Sequence, residues 1–90
     1  MPNHFTIYNS LNDCIVRIVT EKPTASVMRL ILGGKPDHIV MSAGLMYFRS
    51  DDWGLPENHA ANAILEVEGD ESRIHGNVII IARNGLQSAL

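Results

Sequence analysis

The chain has 90 residues, enough for one domain that buries roughly 60–65% of its unfolded surface. Hydrophobic residues make up 46% and charged residues 19%, a balance that excludes a disordered chain. The formal net charge is -3, and the basic residues Arg17, Lys22, Arg29, Lys35, Arg49, Arg73 and Arg83 stand singly, which disfavours nucleic acid as a partner.

Aromatic residues are only 6%, so the core must be built from Ile, Val, Leu, Met and Ala. The single cysteine, Cys14, allows no intramolecular disulfide and points to a reducing compartment. The polar start Met1-Pro2-Asn3-His4 carries no secretory signal, and no apolar run approaches the ~20 residues of a membrane helix. The expected location is the cytoplasm, with no membrane contact.

The first element in chain order is "HFTIY", where Phe5 and Ile7 alternate with polar residues as in a half-buried strand. Turn formers fill residues 9–13, and "CIVRIVT" then places Cys14, Val16 and Ile18 on one face with Arg17 on the other. These two strands predict a hairpin. In "KPTASVMRLILGG", Val27, Leu30 and Ile31 fall at helical spacing. Thr24 or Ser26 can cap that helix, and Gly33 or Gly34 can end it.

A second hairpin is predicted with arms His38–Met41 and Leu45–Arg49 around a three-residue connection, Ser42-Ala43-Gly44. "SDDWGLPEN" reads as a polar loop. "HAANAIL" reads as a helix of about two turns, capped by Asn58, with Ile64 and Leu65 entering the core. Ala60, Ala61 and Ala63 let it lie close to the sheet. Val67, between Glu66 and Glu68, either extends this helix or makes a short strand. "NVIIIA" is the strongest strand, and Val78 to Ile81 predict burial on both its faces. "LQSAL" is a tail that orders only if Leu86 and Leu90 dock.

The predicted class is α+β in the order β-β-α-β-β-α-β. A mostly antiparallel four- or five-stranded sheet carries two helices on one face. So small a domain leaves limited cover for Leu45, Tyr47 and the last strand. A second copy, packed on the open face or paired at an edge strand, would supply it. A homodimer is therefore expected.

Candidate chemistry is sparse. Asp51-Asp52 on a loop is the arrangement a hard cation prefers, with Glu57 or Asp70 as further ligands, although adjacent acids are commonly a solvated turn. His4, His38, His59 and His75 lack zinc-site spacing, and Cys14 lies in an apolar strand as an inert thiol does. Gly33-Gly34-Lys35 follows a helix rather than preceding one, so it is a helix stop and not a phosphate loop. Trp53 either stacks a ligand or folds over the core. Pro56 fixes the chain direction before Asn58.

Gly54-Leu55-Pro56-Glu57-Asn58-x-x-Ala61, with the later Ile74-His75-Gly76-Asn77-Val78-Ile79-Ile80, resembles a family of small phage, plasmid and host proteins. That family is domain of unknown function 3846. The resemblance covers about residues 27 to 82. It aligns Asn58 with the family's signature asparagine and Gly76 with its late glycine, while His59, Ala60 and Asn62 depart from its pattern. It implies a mobile-element origin and no established activity.

Three functions are expected in descending order. The first is a non-enzymatic binding module acting on a protein partner or on itself. The second is a small-ligand or nucleotide binder using Asp52, Trp53, Asn58, His59 and the helix N-terminus. The third is a metal-dependent enzyme built on Asp51 and Asp52. No catalytic residue, cofactor or bound metal is assigned.

Overall fold

The computed structural model describes residues 4–9, 13–51 and 54–82. The elements are β1 (His4–Asn9), β2 (Cys14–Val19), α1 (Ala25–Leu32), β3 (Pro36–Met41), β4 (Gly44–Arg49), α2 (His59–Val67) and β5 (Val78–Ala82). The class and element order follow the sequence reading. The five strands form one sheet in the order β1-β2-β5-β4-β3. Two antiparallel hairpins flank β5, which pairs parallel with β2 and antiparallel with β4.

β5 is central because its side chains are apolar on both faces. Val78, Ile79 and Ile80 are fully buried. Each such burial stabilises the fold by about 1.5–3 kcal/mol relative to exposure. Strand alternation sends Val78, Ile80 and Ala82 into one cluster with Val16, Ile18 and Met46, which Ala61 and Leu65 of α2 cover. Ile79 faces the other way, into a cluster with Val19 and Tyr47 that Met28 and Leu32 of α1 cover.

The helices thus pack against opposite faces of the sheet, and the expectation of two helices on one face is corrected. The reason is the two-faced β5. Helices on one side only would leave Ile79 and Tyr47 in water. The surface around Tyr47, expected to be open to a second copy, is closed by α1. Leu45 and Ile81 stay half-buried beside it, and Val40 is exposed.

Within α1, the stripe facing the sheet is also corrected. Met28 and Leu32 are buried, whereas Val27 and Leu30 are exposed. Val27, Met28, Leu30, Ile31 and Leu32 are all apolar, so periodicity alone does not choose a face. Thr24 is the cap, its hydroxyl accepting from the Val27 amide at 3.3 Å. Gly33 ends the helix in the left-handed conformation, with φ 82°.

Ala61, Asn62 and Leu65 are the buried residues of α2; Ala63 is exposed, contrary to expectation, and Ile64 is half-buried. The helix runs to Val67, which resolves that residue as helical. Among the described residues no helix is long and apolar enough to cross a membrane. Residues 86–90 of the predicted tail lie outside the described residues.

The β3–β4 connection is shorter than predicted. Met41 pairs with Gly44, so the turn is Ser42-Ala43 and Gly44 already belongs to β4. Glu68, just past α2, holds this turn. Its carboxylate accepts from the Ser42 amide at 2.8 Å and from the Ser42 hydroxyl at 2.9 and 2.8 Å. These hydrogen bonds hold the Glu68 carboxyl below the usual range. A depressed folded-state value adds stability above the unfolded carboxyl pKa of about 4.3, and that stability is lost as pH falls through the folded value. Glu68→Gln is expected to lower the melting temperature at neutral pH, with the gap to the parent closing in thermal melts as pH falls through the depressed Glu68 value.

Candidate functional site

The loop before α2 and the segment before β5 meet as a short antiparallel ribbon. The Gly76 amide donates to the Pro56 carbonyl at 2.8 Å, and the Asn58 amide donates to the Ile74 carbonyl at 2.9 Å. Glu57 and His75 pair between them. Pro56 lacks an amide hydrogen, so its role in the ribbon is as acceptor only. His75 Nδ1 sits 3.0 Å from the Leu55 carbonyl, which places the proton on Nδ1 in this arrangement.

Three asparagines tie this ribbon to the sheet and both helices. Asn58 is completely buried. Its Oδ1 accepts from the Ala61 amide at 3.0 Å, which caps α2. Its Nδ2 donates to the Gly76 carbonyl at 2.8 Å and to the Ile15 carbonyl at 3.4 Å. Asn62 accepts from the Ile74 amide at 2.7 Å and donates to Glu57 at 3.0 Å. Asn77 accepts from the Ile15 amide at 3.0 Å and donates to the Ile31 carbonyl at 2.8 Å, near the end of α1.

Every polar atom of the Asn58 side chain is therefore used inside the protein. The expectation that Asn58 contacts a ligand is corrected: it is a cap and a buried tie. A polar group this deep is tolerated because it is fully hydrogen-bonded. The capping role was legible from Pro56-Glu57-Asn58 alone. The ties to Gly76 and Ile15 were not, because they join residues far apart in sequence. The sequence reading gives Asn62 and Asn77 no structural role, although an asparagine in a short alanine-rich helix is itself a signal, since it competes with the helix backbone.

His59 is exposed on the first turn of α2. Asp52 and Trp53 lie outside the described residues. Asp51 lies 3.8 Å from Arg49 in an exposed ion pair. Glu57 accepts from Asn62 and lies 3.9 Å from Arg73. Among the described residues no three His, Cys, Asp or Glu side chains are placed to hold a metal ion. His38 packs its ring at 5.4 Å from that of Tyr47.

Cys14 is buried, and its thiol donates to the Pro56 carbonyl at 3.5 Å. Burial pushes the thiol pKa up and Asp13 adds to this, while a hydrogen bond with the Gly76 backbone opposes it. The thiol therefore stays protonated at neutral pH and is a poor nucleophile, as its sequence setting predicted. A cleft of about 500 Å³ lies past α2, lined by Glu66, Gly69, Asp70, Glu71 and Arg73. Arg73 reaches Glu66 at 3.8 Å there. Asp70 is held below the usual carboxyl range by hydrogen bonds from Ser72.

The two stretches that carry the family resemblance, Gly54 to Ala61 and Ile74 to Ile80, thus form one structural unit. Asn58 bonds Ile74 and Gly76 across the two stretches, and Gly76 lies against Leu55, while Asn77 and Ile79 serve the contacts with β2 and α1. Compared with protein-family models, with curated proteins and with solved structures, the chain finds no match in any of the three.

Proposed function

We propose that this protein is a non-enzymatic binding module of the phage or mobile-element type. It works in the cytoplasm on a protein partner or a second copy of itself, and the α1 side of the sheet is the surface it uses. The observation that carries this reading is that α1 is apolar on two sides. Met28 and Leu32 fill the core, yet Leu30 remains 83% exposed and Val27 43% exposed. A helix apolar around most of its circumference is ordinarily covered on both sides. Exposed apolar residues grouped on one side of a small domain mark contact surfaces.

The open edge of β3 supports a face rather than an edge as the contact. In an antiparallel ladder alternate amides point outward, here those of positions 36, 38 and 40. Pro36 has no amide hydrogen, and the His38 amide donates to its neighbour Asp37 at 2.8 Å. Only Val40 offers a donor along that stretch, so the edge is blunted against strand addition.

The test is Leu30→Asp, a surface change expected to leave the far-UV circular dichroism intact. Parent and variant are compared in sedimentation velocity and in pull-downs from a bacterial lysate. The variant is expected to lose the self-association or the captured partner that the parent shows. Equal behaviour of the two proteins in both assays would refute the proposal.

A further inference from the structure

We propose that the occupant of the α1 face is a second copy of this chain, docked head to tail through the outer face of its α2. This rests on the reading of the α1 side as a contact surface and names its partner. The two helices cover opposite faces of the sheet, and those faces carry opposite charge. On the α1 side, Arg29 is exposed on the helix, and exposed Lys22 holds its ammonium 5.7 Å from the Tyr47 ring. Arg49 lies along the Gly33-Gly34 turn at its end. Glu21 is the exposed acid nearest in sequence to this group, and Asp51 is paired with Arg49.

The α2 side is acidic. Glu66 and Glu71 are exposed, with Glu57, Glu68 and Asp70 nearby and Arg73 as the cation among them. Each side also carries a strongly exposed apolar residue. On the α1 side it is Leu30; on the α2 side it is Val67, 89% exposed between Glu66 and Glu68.

A two-fold contact of either face with its own copy would set like charge against like. The α1 face against the α2 face sets basic against acidic, and brings Leu30 toward Val67. Complementary charge selects this pairing over the symmetric ones. Because the two surfaces lie on opposite sides, each copy keeps one free, and the assembly extends into rings or short filaments rather than stopping at two.

The experiment uses the full chain and two surface variants, Leu30→Asp on the α1 side and Val67→Asp on the α2 side. Circular dichroism and thermal melts check that both keep the fold. The parent is expected to show mass growing with concentration in sedimentation velocity. Its association is expected to weaken about tenfold or more when salt is raised into the range where exposed charges are screened. Each variant alone is expected to be monomeric. Mixed, they are expected to form a one-to-one complex and nothing larger, since only one intact α1 face meets one intact α2 face.

Loss of association in Leu30→Asp with none in Val67→Asp overturns the head-to-tail docking and leaves the α1 surface standing as a symmetric contact. Monomeric parent at all concentrations, with a lysate protein lost on Leu30→Asp, also overturns it in favour of another partner. Failure of the mixed variants to pair overturns it whatever the parent does.

Discussion

Gly44→Ala is expected to lower the unfolding free energy by about 3 kcal/mol or more, and the melting temperature by about 12 °C or more. A methyl group built on Gly44 collides with the carbonyl oxygen of Ile81, and Ile81 belongs to the central strand. Backbone in a central strand cannot give way as a flexible side chain does. The Gly44 φ of 152° adds strain for any residue with a side chain. Gly69→Ala is the control, since nothing lies within 4 Å of a methyl group there and only its φ of 80° disfavours substitution. That variant is expected to lose about 1–2 kcal/mol. Chemical denaturation of the three proteins gives both values. Equal losses at positions 44 and 69 would show that the Ile81 carbonyl is not the obstacle.

Asn58→Ala is expected to cost about 2–4 kcal/mol, more than a surface cap does. The extra loss comes from stranding the Ala61 amide and the Gly76 carbonyl, both of which lean on the Asn58 side chain. Asn58→Asp separates the two functions. It keeps the acceptor for Ala61 and turns the donor that meets the Gly76 and Ile15 carbonyls into a second acceptor. Burial and those carbonyls raise the folded-state pKa of the new carboxyl above its unfolded value of about 3.9. Its best contribution is thus present below that pH and is lost as pH rises through the folded value. The variant is expected to melt closest to the parent under acid conditions and furthest below it at neutral pH. His59→Ala, one residue along and exposed, is expected to stay within about 0.5 kcal/mol of the parent. An Asn58→Ala protein with the parent's melting temperature would mean that the buried ties contribute nothing.

The fold was legible to the extent that it is local. Alternation in "HFTIY" and "CIVRIV" marked the first hairpin, and the run Val78 to Ile81 marked a strand buried on both sides. Thr24 was one of two residues proposed for the α1 cap, and Asn58 was the α2 cap. Where local signals were degenerate, the reading slipped. The run Val27, Met28, Leu30, Ile31 and Leu32 did not say which stripe faces inward, and of the stripe that periodicity favoured, Val27 and Leu30 are exposed while Ile31 packs half-buried against the core. The turn Ser42-Ala43 is shorter than Gly44 implied, because that glycine answers to Ile81 on another strand rather than to the turn.

By itself, then, the sequence determined the α+β class, the order of the elements, the buried face of β2 and the Asn58 cap, all set by interactions within a few residues, whereas Ile7 of β1 is exposed although alternation grouped it with Phe5. The tertiary structure decided what depends on distant partners: the parallel pairing of β2 with β5, the placing of α1 and α2 on opposite faces, the need for glycine at 44, and the burial of Asn58. The physical reason is common to all four. A strand apolar on both sides must be covered twice, and a polar group so covered must find partners wherever the backbone brings them. "LPEN" and "IHGN" are quiet apart, and become a clasp only when the fold brings them together.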